Sequence, residues 1–255
     1  MDNTKWKVTF EVYRQKGDEA PYYERFELEV DPDEYVLDGV ERIWAFHDRS
    51  LAFRHACHHS TCGACGMRVN GVEKLTCITP MREVTQNGGV VRVEPMRNFP
   101  VVSDLVVDMT DFYSRMEAAG HRSVLPIEEA EMEPEETTVQ FAKSDQDYLR
   151  LSDCIECGLC ISACPIATTT PAYLGPAVLA GAHQHGLANN PDLLSLVDTE
   201  DGVWRCHSAF ECTAACPSNV EPAWRIMELR KQVIRERIKN FFRPSSRKAV
   251  KEVNA

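Results

Sequence analysis

Residues 154–165 read CIECGLCISACP, which separates Cys154, Cys157, Cys160 and Cys164 by two, two and three residues and ends on a proline. This spacing is typical of chains that hold iron–sulfur clusters. The first three thiolates of such a run ligate one [4Fe–4S] cluster, and the fourth ligates a neighbouring cluster. The run therefore predicts a partner run elsewhere in the chain.

The partner run is residues 206–217, CHSAFECTAACP, which repeats the spacing with Ala209 in place of the second cysteine. Alanine has no donor atom, so one cluster has three thiolates and is predicted to be a [3Fe–4S] cluster. The alternative is a [4Fe–4S] centre whose open corner takes water, Ser208 or His207. Exchange of the fourth cysteines between the runs gives these ligands: Cys154, Cys157, Cys160 and Cys216 for the [4Fe–4S] cluster, and Cys164, Cys206 and Cys212 for the [3Fe–4S] cluster.

Another group of cysteines precedes both runs, with four, two and eleven residues between its members: Cys57, Cys62, Cys65 and Cys77. In chain order it is the first cysteine group, and residues 154–165 and 206–217 are the second and third runs. The first group has the plant-type [2Fe–2S] spacing. Gly63 and Gly66 would let backbone amides approach the cluster sulfides. A zinc ribbon or buried structural thiols are the alternatives, but a zinc ribbon would not need the first cysteine. His58 and His59 are expected to lie at the surface or to support the ligands rather than to bind this cluster.

Composition limits the remaining possibilities. Eleven cysteines in 255 residues, with no export leader, favour metal ligation or redox chemistry over a disulfide framework. No apolar run approaches the roughly 20 residues of a membrane span. The formal net charge of −11 argues against a nucleic-acid partner. The chain also has no flavin- or nucleotide-binding fingerprint of its own.

Hydrophobic periodicity predicts a small α+β module at the N-terminus. Residues 5–12 and 25–30 alternate as strands, residues 37–47 have helical spacing with Asp33 as the N-cap, and Val90 to Val93 form a closing strand. Asn70 and Gly71 predict a tight hairpin turn.

The rest of the chain is predicted to be mainly helical. Residues 105–116 are expected to form a helix in a connector, 125–137 an acidic irregular segment, and 222–242 the last helix. Four apolar residues of that helix are spaced to share one face: Met227, Ile234, Ile238 and Phe241. The predicted organisation is a first domain at 1–110, a connector at 111–147, a second domain at 148–242 and a basic tail at 243–255.

The three cysteine groups, in this order, resemble the iron–sulfur subunit of succinate:quinone oxidoreductases and quinol:fumarate reductases. Further motifs carry the resemblance over nearly the whole chain: LAFR at 51–54, DLVVDM at 104–109, FY at 112–113, GPA at 175–177 and WRCHS at 204–208. The resemblance implies an α+β protein, with an N-terminal β-grasp domain like plant-type [2Fe–2S] ferredoxins. A C-terminal, mostly α-helical domain like bacterial ferredoxins would follow it.

The resemblance also implies a function, namely the electron-transfer subunit of a succinate dehydrogenase. Electrons would come from FAD in a flavoprotein subunit, pass the [2Fe–2S], [4Fe–4S] and [3Fe–4S] clusters, and reach a membrane quinone. FAD and quinone would be bound in the complex, not by this chain alone. Anchor subunits would hold the chain at the cytoplasmic face of the plasma membrane. The alternatives are the reverse direction, as a fumarate reductase, or a soluble thiol-dependent fumarate reductase.

By the same resemblance, four residues are candidates for the quinone site: Pro165, Trp204, Arg205 and His207. The stretch 165–170, PIATTT, lacks the tryptophans of many ubiquinone-reducing relatives, so a different quinone, such as a menaquinone, is expected. His207 could bind or protonate the quinone, or instead bond to cluster sulfide or backbone. Residues 225–255 carry ten Lys or Arg and three Asp or Glu. This basic end is expected to face anionic headgroups or anchor loops, or else to be a solvated helix end.

Overall fold

The computed structural model describes residues 5–120, 154–187 and 190–242. The acidic segment 125–137, most of the predicted connector and the basic tail at 243–255 lie outside the described residues. Within the described ranges, no helix is both long enough and apolar enough to cross a membrane.

The N-terminal module is a five-stranded mixed sheet covered by one helix. The strand order is β2-β1-β5-β3-β4; β1 pairs antiparallel with β2 and parallel with β5. The core between sheet and helix α1 includes Phe10, Val40, Ile43 and Val93. A Cβ atom on Gly39 of α1 would lie 2.3 Å from the ring of Phe10, so the helix packs directly on the sheet. The elements are β1 (Trp6–Arg14), β2 (Tyr22–Val30), α1 (Val36–Phe46), β3 (Gly66–Val69), β4 (Val72–Leu75), α2 (Met81–Val84) and β5 (Val90–Glu94).

This module confirms the predicted fold class and the predicted order of elements. Asn70 and Gly71 join β3 to β4 with φ angles of 51° and 83°, which a tight hairpin turn requires. The predicted N-cap was wrong, because Asp33 forms an ion pair with Arg82 instead. At the true start of α1, the carboxylate of Asp38 accepts a 2.9 Å hydrogen bond from the backbone N–H of Tyr35.

The segment after β5 differs from the predicted connector helix. Strands β6 (Val101–Ser103) and β7 (Val106–Val107) form a small antiparallel sheet, and helix α3 spans Thr110–Ala118. Residues 105–109 are therefore not helical. Asp104 adopts a positive φ of 47° between the two strands, and Asp108 accepts a 2.9 Å hydrogen bond from the Thr110 N–H at the start of α3. These local contacts favour the turn and the later helix start.

The C-terminal module is built from helices, of which α6 and α9 pack against each other. The last helix has the predicted bounds, and Ile226, Leu229 and Val233 are its buried core residues. The other face carries Ile234, Ile238 and Phe241, which are exposed. The helices are α4 (Leu159–Ser162), α5 (Pro165–Thr169), α6 (Pro176–His185), α7 (Pro191–Val197), α8 (Glu211–Ala214) and α9 (Pro222–Phe242).

The two modules meet where the second cysteine run, residues 154–165, packs against β4, the first cysteine loop and the segment after β5. The side-chain amide of Asn98 donates to the carbonyls of Ile161 and Cys164, at 2.7 and 3.1 Å. The hydroxyl of Ser162 donates to Glu73 at 3.0 Å and accepts from the backbone N–H of Arg97 at 2.9 Å. The N-terminal module thus holds the backbone that carries the predicted ligands of the second run.

A buried charged cluster fixes the approach to the first cysteine group. The carboxylate of Asp104 is fully buried and accepts from Arg14 Nε at 3.2 Å, Lys16 Nζ at 2.6 Å and the Ala52 N–H at 2.8 Å. Burial raises the pKa of Asp104, but the hydrogen bonds from Lys16 and the backbone outweigh it and hold that pKa below its ordinary value. This cluster connects β1 to the segment around Ala52, which leads into the first cysteine group.

We expect Asp104→Asn to lower the free energy of unfolding by about 2 kcal/mol, because the neutral amide would weaken the charge-assisted bonds from Lys16 and Arg14. Arg14 would keep its ion pairs with Glu24 and Asp48. Thermal or urea denaturation of the cluster-loaded protein at pH 7 measures the loss. Because the folded pKa of Asp104 is depressed, the stabilisation exists above the ordinary aspartate pKa near 4 and disappears as the pH falls below it.

The matched control is Asp18→Asn, at an exposed position, which should change stability by less than about 0.5 kcal/mol. Equal stability of the two variants at pH 7 would contradict the structural role of Asp104.

Candidate metal centres

The first cysteine group lies on the loop between α1 and β3 and on the turn after β4. Cys65 and Cys77 are buried, Cys57 is half-buried and Cys62 is exposed. The hydrogen bond from the His59 N–H is the main cause that lowers the pKa of Cys57 to about 5, and the Thr61 N–H also donates to this sulfur at 3.3 Å. Such amide bonds stabilise a thiolate, which is the form that binds iron.

The four sulfur atoms of the first group are close neighbours. The pKa of Cys77 is raised to about 12, mainly by burial and then by its contact with Cys65, and the charge of Cys57 adds to the shift. The Cys62 thiol and backbone also interact with Cys57. Buried thiols of this kind lose their protons only where a metal ion compensates the charge, so this donor set fits an iron–sulfur cluster.

The second site is a cavity whose lining contains four sulfur atoms from two distant parts of the chain: Cys154, Cys157, Cys160 and Cys216. Burial raises the pKa of Cys157 to about 12 and the pKa of Cys160 well above its ordinary value. The N–H of Val220 donates to the sulfur of Cys216 at 3.4 Å. Four converging sulfurs in a buried cavity can hold a cubane cluster.

The third site is a separate cavity lined by Cys164, Cys206 and Cys212, and Ala209 lines it as well. Burial raises the pKa of Cys212 to about 12, and the neighbouring sulfurs of the cavity add to this shift. The Ser208 N–H donates to Cys206 at 3.4 Å. The Ser208 hydroxyl contacts the sulfur of Met227 at 3.4 Å, so it already has a partner outside the sulfur set.

The second and third runs share a backbone conformation as well as a spacing. Glu156 and Gly158, two and four residues after the first cysteine of their run, have φ angles of 52° and 78°. Ser208 and Phe210, at the equivalent positions, have φ angles of 58° and 64°. Ala209 therefore occupies the place in its loop that Cys157 occupies in the other, with a methyl group instead of a sulfur.

The four quinone-site candidates separate into two pairs. Pro165 and His207 are exposed and also line the third cavity. Trp204 donates from Nε1 to Asp198 at 2.7 Å, and Arg205 pairs with Glu200 at 2.7 Å. The second pair thus binds the acidic segment that precedes the third run.

Two residues that the sequence did not single out support the third cavity. Tyr173 is buried in its lining, and burial raises the pKa of this phenol. Arg230 reaches from α9 to donate to the carbonyls of Val203, at 3.0 Å, and Cys206. Arg230 is far from the run in sequence, and no cysteine spacing could have indicated it.

The first and second sites are in direct contact. A Cβ atom on Gly63, which has a φ of 71°, would lie 2.6 Å from Cβ of Cys157 and 2.9 Å from its Cα. Only glycine fits there, for both steric and conformational reasons. The second and third sites are also adjacent, because the charge of Cys212 contributes to the raised pKa of Cys160.

Comparisons with known proteins agree with this arrangement. Residues 9–114 match a family described as a 2Fe-2S iron-sulfur cluster binding domain, and residues 150–220 match a 4Fe-4S dicluster domain. The fumarate reductase iron-sulfur subunit of Mycobacterium tuberculosis (strain CDC 1551 / Oshkosh) is 34% identical over 250 residues, covering 93% of this chain and 97% of that protein. The corresponding subunit of Haemophilus influenzae is 31% identical, covering 91% of this chain and 94% of that protein.

A plant protein and a solved structure extend the comparison. The mitochondrial succinate dehydrogenase (ubiquinone) iron-sulfur subunit 2 of Oryza sativa subsp. japonica is 31% identical, covering 87% of this chain and 73% of that protein. A chain of the Mycobacterium smegmatis Sdh1 complex in the apo form superposes with a TM-score of 0.74 at 26% identity, covering 92% of this chain and 98% of that chain. The chain thus contains [2Fe–2S]- and [4Fe–4S]-binding domains in a fold shared with these proteins.

We expect Gly63→Ala to destabilise the protein by about 1–3 kcal/mol more than Gly88→Ala, because its methyl group would collide with Cys157. Gly88 is the matched control, since its φ of 78° imposes similar backbone strain but no atom lies within 4 Å of the added Cβ. Thermal denaturation and iron content of both variants measure the effect. Equal losses in the two variants would show that the modules do not meet at Gly63.

Proposed function

Because the chain belongs to the family of iron–sulfur subunits of succinate dehydrogenases and fumarate reductases, we propose that it carries electrons between a dicarboxylate-oxidising flavoprotein and a membrane quinone. The dicarboxylate site is in a different chain. One observation supports the electron-transfer role: three sulfur sites follow one another through the protein. The first site contacts the second at Gly63, and the second lies near the third at Cys160.

The ligands we propose are the three sets that the spacing indicates. Cys57, Cys62, Cys65 and Cys77 would hold the [2Fe–2S] cluster; Cys154, Cys157, Cys160 and Cys216 the [4Fe–4S] cluster; Cys164, Cys206 and Cys212 the [3Fe–4S] cluster. The two cavities support this assignment, because each is lined by one of the last two sets. When bound, the clusters supply one-electron redox chemistry, which divides a two-electron dicarboxylate reaction into single steps.

The residues of the chain do two things for this transfer. Backbone N–H groups of Thr61, Ser208 and Val220 donate to ligand sulfurs and stabilise their negative charge. Asn98 and Ser162 fix the second run to the first module, so the sites keep constant separations. The same fixed path serves either direction, succinate oxidation or fumarate reduction.

We also propose that a quinone binds beside the third cavity. Pro165 and His207 are exposed where they line that cavity, so an imidazole hydrogen bond is available to a quinone carbonyl there. Trp204 and Arg205 would act as positioning residues, because they hold the acidic segment before the third run through Asp198 and Glu200.

Attachment to a membrane anchor is supported by the far end of α9. Ile238 and Phe241 are 53% and 83% exposed, and with Ile234 they form an apolar face that no other described helix or strand covers. Basic side chains such as Arg237 and Lys239 lie on the same helix turns. A face of this kind suits a hydrophobic anchor subunit at the cytoplasmic surface of a plasma membrane, with the basic tail toward anionic headgroups. It favours the membrane-bound complex over a soluble thiol-dependent fumarate reductase.

Ala209→Cys tests the third cluster. The new thiol would supply the missing fourth donor, so the iron content should rise from nine to ten per chain and the EPR signal of the oxidised three-iron centre should disappear. Ala209→Val, which adds no donor, should keep nine irons and the signal. Ten irons and no three-iron signal in the unmodified protein would show that the open corner already holds a fourth iron.

Purification of the native complex tests the function as a whole. We expect the chain to co-purify with a flavoprotein and a hydrophobic anchor protein, and the complex to reduce a soluble quinone when succinate is added. A complex without an anchor that only reduces fumarate, with electrons taken from the oxidation of thiols to a disulfide, would contradict the quinone and membrane steps.

Within that complex, His207→Ala should lower quinone reduction about tenfold, the value of one lost hydrogen bond, while succinate-driven dye reduction and iron content stay unchanged. His185→Ala, an exposed histidine of α6, is the matched control. Normal quinone reduction by the His207 variant would exclude this role.

A further inference from the structure

Three metal-binding side chains meet outside the sulfur sites. Glu41 projects from α1 toward the loop of the first cysteine group, where its Oε1 lies 3.1 Å from Nδ1 of His55 and 3.2 Å from Nε2 of His58. The two ring nitrogens are themselves 3.1 Å apart. The three atoms thus form a nearly equilateral triangle. Among the described residues, this potential metal-binding group consists of one glutamate and two histidines and does not include the sulfur of Cys57.

The surrounding structure holds the triangle in place. The ring of His55 is stacked on Phe53, with centroids 5.1 Å apart and planes 15° apart. His58 has a positive φ of 59°, a conformation uncommon outside glycine, which turns its ring back onto His55 at an angle of 87°. Glu41 belongs to a regular helix that packs on the sheet.

A hydrogen bond between the two rings accounts for only part of this geometry, because it does not include the Glu41 oxygen. Oε1 of Glu41 is shielded from solvent and has no hydrogen-bond partner, although two ring nitrogens lie within 3.2 Å of it. A buried carboxylate oxygen without a donor is costly, because it loses its hydration without replacement. A positive centre between the oxygen and the two nitrogens, which a metal ion supplies as well as a ring proton does, would satisfy all three atoms.

A divalent metal ion fits the triangle. Zinc binds imidazole nitrogen and carboxylate oxygen at about 2.0–2.2 Å. Donors 3.1–3.2 Å apart at such distances subtend angles of about 90–106° at the metal, between octahedral and tetrahedral values. Two histidines and one carboxylate also leave positions open for water or for a ligand from a partner.

We propose that Glu41, His55 and His58 bind one divalent transition-metal ion of the zinc type, separate from the iron–sulfur clusters. Because His55 and His58 stand on either side of Cys57, the ion would attach the backbone around this cysteine to helix α1. The site goes beyond electron transfer itself: it would make the order of the first cysteine loop depend on the supply of a second kind of metal.

Zinc titration of the cluster-loaded full chain tests the proposal under anaerobic conditions. We expect one zinc per chain by calorimetry and by elemental analysis, with no loss of iron. His55→Ala, His58→Ala and Glu41→Gln should each weaken zinc binding at least tenfold. Co²⁺ in place of zinc should give visible d–d bands that the three variants lack.

His59→Ala is the matched control, because His59 is an exposed neighbour outside the triangle and should leave zinc binding unchanged. Glu41→Gln keeps the test valid if a histidine variant disturbs the cluster loop, since residue 41 lies on α1. Zinc binding that is absent in the unmodified protein, or equal in all four variants and the unmodified protein, would overturn the proposal.

Discussion

A thiolate can be buried in an apolar interior only where a metal ion balances its charge, and the C-terminal module is organised around this constraint. Cys160, Cys164 and Cys212 are members of the hydrophobic core itself, next to Leu159, Leu179 and Ile226. Burial raises the pKa values of these three thiols, so each keeps its proton unless a metal ion takes the proton's place. We therefore expect folding of the module to be coupled to metal binding in its two cavities.

The same core extends into the N-terminal module. Cys65 and Cys77 of the first site belong to the cluster of buried residues that contains Leu159 of the second run. Asn98 and Ser162 add directed hydrogen bonds across this junction, so the two modules are not free to separate or slide. Electron transfer between centres depends steeply on distance, and a continuous core with directed bonds keeps those distances constant.

Local patterns were sufficient to predict much of this structure. Cysteine spacing, the Asn70–Gly71 turn and the apolar periodicity of α9 each depend on neighbours within one element, and each of these elements has the predicted form. The pattern of α9 did not show which side packs inward, because both of its faces carry apolar residues. Whether the sulfur sets bind the predicted clusters stays a prediction, although the chain brings their members together.

What local patterns could not predict depends on partners far away in sequence. Asp33 looked like a helix cap but pairs with Arg82. Residues 105–109 looked helical, but they follow a turn at Asp104, whose buried carboxylate pairs with Arg14 and Lys16. Arg230 supports the loop at Cys206 from α9, and no spacing rule connects them. Each of these contacts exists only after the strands and helices have assembled.

The close contact of Gly63 with Cys157 has a consequence for biogenesis. With Cβ of Cys157 lying 2.6 Å from where a methyl group on Gly63 would be, no room remains between the modules for a delivery protein to reach Cys157 from that side. Iron must enter the second site before the first module closes over it, or from the opposite side of the run. The last step of maturation would then be the docking of one domain on another, and the sealed junction would mark a correctly loaded molecule.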